Sequence, residues 1–192
     1  MFRIRKHALV ATFSFFVLGT SVPLAQGLPE SGPLADGEIS QEELAGILAT
    51  AQQQLIRLSD RATEDYQSVI VDPEPNMPAA WMLMKDGSTV KRLNLDSQVE
   101  GMPAATRIAV YRAAFKSVAR KGEINAAAIL YTGRVSEESD TEVLVIEHEH
   151  RLGVSGNKVI GYEIEGGDAA WVKPVTQKKP FQWFYDAKED AS

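Results

Sequence analysis

Ile124-Asn-Ala-Ala-Ala-Ile-Leu-Tyr-Thr-Gly-Arg-Val135 and Glu142-Val-Leu-Val-Ile-Glu-His-Glu-His-Arg151 set the architecture of this chain. The first is apolar at odd and even positions alike, as expected of a central strand with both faces covered. The second begins in the same way and turns polar on both sides from Glu147 onward. Between them residues 136–140 form an acidic loop. Downstream, the turn at residues 152–157 leads to a strand over 158–164, and Glu165-Gly-Gly-Asp168 turns into a strand over 169–175 whose Pro174 marks an edge. Residues 181–185, Phe-Gln-Trp-Phe-Tyr, read as a last, aromatic strand.

Upstream of this β region the period changes. Ser40 and Glu43 form a capping box, and Leu44, Ile47, Leu48, Ala51, Leu55, Leu58 and Ala62 recur at three- and four-residue steps. The spacing predicts a helix over residues 41–65. Three prolines between Asp72 and Pro78 break it. Residues 80–84 and 89–95 follow as two strands joined by Lys85-Asp86-Gly87-Ser88, a hairpin turn. A second helix runs from Pro103 to Gly122 with a core stripe of Ile108, Tyr111, Phe115 and Val118. The order is helix, two strands, helix, four strands. It predicts an α+β, two-layer domain over residues 40–185, with a mainly antiparallel sheet of five or six strands and both helices on one face. This order resembles that of profilin-like and roadblock or longin-type modules in topology, which carries no function with it.

The N-terminus reads as an address. Arg3, Arg5 and Lys6 precede an apolar run from Ala8 to Leu18, too short for a bilayer span, so residues 1–25 are a secretory signal peptide. Cleavage falls after Ala25 or after Ser21. Residues 26–39, rich in Gly and Pro, form a flexible leader, and residues 186–192 a polar tail. Removing residues 1–25 takes away those three cations and no acid, moving the formal charge from -6 to -9. An acidic exported domain without cysteine points to a periplasm, and the missing thiols exclude disulfides, thiolate metal sites and an acylated cysteine anchor. The charge balance, 20 Lys+Arg against 26 Asp+Glu, argues against a nucleic-acid partner. No permanent membrane span is expected.

Three constellations are candidates for function. His148 and His150 are the only histidines beyond residue 25. At i, i+2 on a strand they share one face, with Glu147 and Glu149 on the other. Two imidazoles so placed are able to hold a divalent transition metal if a third ligand joins them. The plainer reading is a strand end emerging into solvent, its charges paired with Lys158, Lys173 or Arg134. Arg112, Lys116 and Arg120 form a basic stripe on the second helix, suited to an anion or an acidic partner, or simply to solvation. Trp183 and Tyr185 belong either to a core-closing strand or to a recognition surface. Nothing completes a catalytic set: there is no GxSxG elbow, P-loop or HExxH, and Ser155 between Gly153 and Gly156 lacks an elbow's spacing. The chain therefore reads as an exported binding or protein-interaction module. A metal-dependent enzyme, in particular a hydrolase built on His148 and His150, is the rival, and an envelope assembly partner the third possibility.

Overall fold

A computed structural model describes residues 39–72, 77–136 and 141–185. The expected signal peptide, tail, acidic loop and proline breaker fall wholly or mostly outside the described residues, as does all of the leader but Ile39. The chain divides into two units, Met1–Ile39 and Ser40–Ser192, and every described helix and strand lies in the second.

Helix α1 (Gln41–Ile70) starts at the predicted capping box: the Glu43 N–H donates to Ser40 Oγ at 3.2 Å and the Ser40 N–H to the Glu43 carboxylate at 3.0 Å. It runs a turn past the predicted end because Tyr66 and Ile70 extend the stripe of Leu58 and Ala62 at four-residue steps. Ala51, Leu55, Leu58, Ala62, Tyr66 and Ile70 are buried. Leu44 and Leu48, in the first turns, are exposed. Strands β1 (Ala79–Met84) and β2 (Val90–Arg92) form the expected hairpin. Gly87 supplies its positive φ of 71°, and the Asp86 carboxylate accepts from the Ser88 and Thr89 N–H groups and the Thr89 hydroxyl. These bonds hold the exposed Asp86 carboxyl at a pKa of about 2. A single-turn helix, α2 (Asp96–Val99), precedes α3 (Ala104–Arg120).

Five strands follow: β3 (Ile124–Arg134), β4 (Glu142–His150), β5 (Val154–Glu165), β6 (Asp168–Trp171) and β7 (Val175–Lys178). The sheet is antiparallel and ordered β2-β1-β3-β4-β5-β6, with β7 also paired to β5. The β6 and β7 segments make one edge with a slip in it. Tyr162 pairs with Trp171, but Val159 pairs with Val175, so the register moves by one residue around Pro174. The final strand differs from the expectation: Phe181–Tyr185 forms none, and Val175–Lys178 is the strand instead.

The α+β class and the antiparallel sheet are as read from the sequence. The helices, however, divide between the faces, and the sheet is the middle of three layers. Alternate residues of β1 and β3 (Ala79, Trp81, Leu83, Ala126, Ala128, Leu130) pack with α1. Those between them (Ala80, Ala127, Ile129) pack with Tyr111 and Phe115 of α3 and with Trp183. Alanine dominates mid-β3, where both helices approach its two faces. Among the described residues no helix is long and apolar enough to cross a membrane.

Candidate functional site

The polar end of β4 does not emerge into solvent. Glu147 is 2% exposed, Glu149 and His150 0%, and His148 8%. The alternation stands, with both histidines toward α1 and both glutamates toward α3. The burial corrects the reading of an exposed strand end, and the reason lies on both sides of the sheet.

Toward α3, charges from three parts of the chain meet. Arg112 grips Glu147 bidentately, Nε at 3.2 Å from Oε1 and Nη2 at 2.7 Å from Oε2. Lys179 Nζ lies 3.2 Å from Glu147 Oε1 and 2.6 Å from Glu149 Oε1. It also stands 4.5 Å over the Trp183 ring. The Glu149 carboxylate accepts the N–H groups of Gln182 (2.8 Å), Trp183 (2.9 Å) and Phe184 (3.3 Å). Three consecutive N–H groups converging on one carboxylate require a curled backbone, which is why residues 181–185 form a strap rather than a strand. Trp183 is buried with its ring centroid 5.2 Å from that of Phe115. The Tyr185 hydroxyl donates to the Arg151 carbonyl beside a hollow of about 250 Å³.

The basic stripe is thus split. Arg112 is turned onto Glu147, while Lys116 is half-buried and Arg120 exposed, and both of these have partners of their own. The cations that neutralise the glutamates are Arg112 and Lys179 rather than Lys158, Lys173 or Arg134. Lys179 escaped the sequence reading because nothing local ties residue 179 to residue 149.

Toward α1, the two histidines differ. The Leu152 N–H donates to His150 Nδ1 at 3.0 Å. An N–H has only a proton to give, so Nδ1 carries the lone pair and Nε2 carries the hydrogen, donated to Gln54 Oε1 at 2.9 Å. Both nitrogens are engaged, so His150 has none left for a metal. Among the described residues no group of three His, Asp or Glu side chains is placed to hold an ion. Burial, and secondarily Arg151, lowers the His150 pKa to about 4. Between that value and the ordinary one near 6.5 the unfolded chain binds a proton that the folded protein does not, so stability falls as pH drops through this window. Urea titrations at pH 7.5 and pH 5 should show a loss on acidification of roughly 1 kcal/mol per pH unit within it. A His150→Gln variant should lose part of this pH dependence, and an unchanged slope would refute the assignment.

His148 donates Nδ1–H to the Ile146 carbonyl at 3.2 Å, which leaves Nε2 as a lone pair. Its pKa is lowered, first by burial and then by Lys179 and Lys158, so the ring is neutral at pH 7. The ring packs over Gly156, where a Cβ would stand 3.3 Å from Nε2 and 2.8 Å from the Gln177 carbonyl oxygen. Glycine is what lets β5 carry both the imidazole and the β7 backbone at that point.

His148 lines a hollow of about 330 Å³ between α1 and β5, walled by Leu55, Ile56 and Val154 and edged by Ser59, Lys158 and Thr176. A second hollow, about 310 Å³, shares Lys158 and continues along α1 to Asp60, Ile160 and Trp171. Lys158 sits in register between Ile146 of β4 and Thr176 of β7, with no ion-pair partner among the described residues. Ser59 and Gln52, which also lines the first hollow, were missed from the sequence because they lie beside the apolar stripe of α1, where polar residues normally just face water. The chain matches no protein-family model, no curated protein and no solved structure.

Proposed function

We propose that the protein is an exported binding module whose ligand occupies the paired hollows between α1 and β5. One observation carries the reading: a neutral imidazole whose Nε2 has no hydrogen-bond partner among the described residues and an ammonium with no ion-pair partner among them border the same apolar-walled space. A matching ligand is small, offers an O–H or N–H to His148 and bears an anionic group for Lys158. The size of the hollows and their few polar groups suit small-molecule recognition. Binding is favoured over catalysis because the His148 Nδ1–H is given to a carbonyl of its own strand, so no carboxylate orients the ring as a general base. The engaged nitrogens of His150 weigh against the metal-dependent hydrolase. Export rests on the basic and apolar zones of residues 1–25.

The test is a native mass spectrum of the untagged protein isolated from the exported fraction without chelators. An organic adduct is expected on the wild-type chain, with its occupancy reduced at least tenfold by Lys158→Glu and clearly reduced by His148→Ala. A bare chain, or an adduct indifferent to both changes, would overturn the site. A mass excess equal to a metal ion would favour the hydrolase. The same spectrum reads the cleavage after Ser21 or Ala25, and an unprocessed chain would overturn export.

A further inference from the structure

On the opposite face of the sheet, beyond the reach of α3 and the strap, no described helix lines the outer part of β4 and β5, where Val145 and Val159 are half-buried and Val143 is buried. Val143, Val145, Val159, Val172 and Val175 line a hollow of about 550 Å³ there, and Val172 and Val175 are 57% and 60% exposed. Its shape is the work of the edge slip. Residues three apart on a regular strand point to opposite faces, but the one-residue shift between β6 and β7 turns Val172 and Val175 to the same one. Gly161 beneath leaves room for Val172, whose Cβ lies 3.4 Å from where a glycine Cβ would be. Exposed aliphatic surface gathered in a concavity marks a contact site.

Charge and backbone say what fits. Among the described residues the charged ones that line the hollow are the cations Arg134 and Lys173, and Lys173 has no ion-pair partner among them. A second copy docked about a two-fold axis would set two patches that carry the same cations face to face, with no acid among the described lining residues to offset them. An added strand would meet the register slip and Pro174, which disrupt the edge that it would have to follow. The remaining occupant is a flexible hydrocarbon chain ending in a negative group.

We infer that the valine hollow binds a long-chain fatty acid, with its tail on Val143, Val145, Val159 and Val175 and its carboxylate at Lys173. This site is separate from the one around His148 and stands or falls independently of it.

The test is calorimetric titration with dodecanoate below its micelle concentration, with dodecyltrimethylammonium as the same tail of opposite charge. Saturable one-to-one binding of dodecanoate is expected, at least tenfold tighter than that of the cation. Val175→Asp and Lys173→Glu, both at exposed positions, should each weaken it at least tenfold with circular dichroism unchanged. Lys158→Glu, on the other face, should leave it intact. Absence of saturable binding, indifference to Val175→Asp, or loss through Lys158→Glu instead would refute the site. So would a wild-type dimer in sedimentation that Val175→Asp converts to monomer, since that would make the occupant a second copy.

Discussion

Replacing Glu149 with alanine is expected to cost about 3–5 kcal/mol of folding stability, the range for breaking a buried charge pair by removing one partner. The carboxylate is fully buried and gathers the Lys179 ammonium with three backbone N–H groups. Without it these N–H groups lose the acceptor they meet in a buried site, and Lys179 keeps its 3.2 Å contact to Glu147 and its place over the Trp183 ring. The damage should be local before it is global. Hydrogen exchange is expected to lose protection at residues 182–184 while the amides of β3 and β4 remain slow. Urea unfolding measures the total. A loss below 1 kcal/mol, or protection unchanged over the strap, would show that Glu149 is not what holds the C-terminal segment. Adding Lys179→Met to the alanine variant should cost less than the two single losses together, because the pair acts as a unit.

The second large effect is expected at Trp183. The ring is 1% exposed and lies against Phe115, and its Nε1 has no hydrogen-bond partner among the described residues. Packing against Phe115 and the Lys179 ammonium over its face hold the ring. Trp183→Ala should cost about 3–5 kcal/mol, the range for large-to-small changes of aromatic core residues. Trp183→Phe should cost roughly 1 kcal/mol, since it keeps an apolar ring and forfeits no bond. Comparable losses in the two variants would mean that the indole nitrogen matters after all. Combined with Glu149→Ala, the tryptophan change should be far from additive, because each releases the same strap.

Both predictions concern a segment whose conformation differs from the strand its sequence suggests, and the cause is specific. Alternating aromatics at Phe181, Trp183 and Tyr185 have the period of a strand. What sets their backbone is a carboxylate more than thirty positions earlier, reached only when β4 is already buried in the sheet. The same distance hid Lys179. The expectation of both helices on one face failed differently. Apolar residues on both faces of β3 did announce that both faces are covered, and placing the helices on one face left that signal unused. The exposed-end reading of Glu147 to His150 took polarity for exposure, the usual correlation, where Arg112, Lys179 and Gln54 reach these side chains from other elements.

By itself the sequence determined the capping box at Ser40, the Gly87 hairpin turn, the breaks between helices and strands, and the opposite facing of the histidines and glutamates on β4. These follow from local sterics and from a side-chain period of two, which a neighbouring element does not alter. Only the tertiary structure decided which helix covers which face, that the four polar side chains at the end of β4 would be buried, and which nitrogen of each imidazole carries its hydrogen. It also made hollows of the space beside Lys158 and of the valines around the edge slip. Those outcomes depend on groups far apart in the chain, whose pairing is worth its desolvation only once packing has removed the water between them.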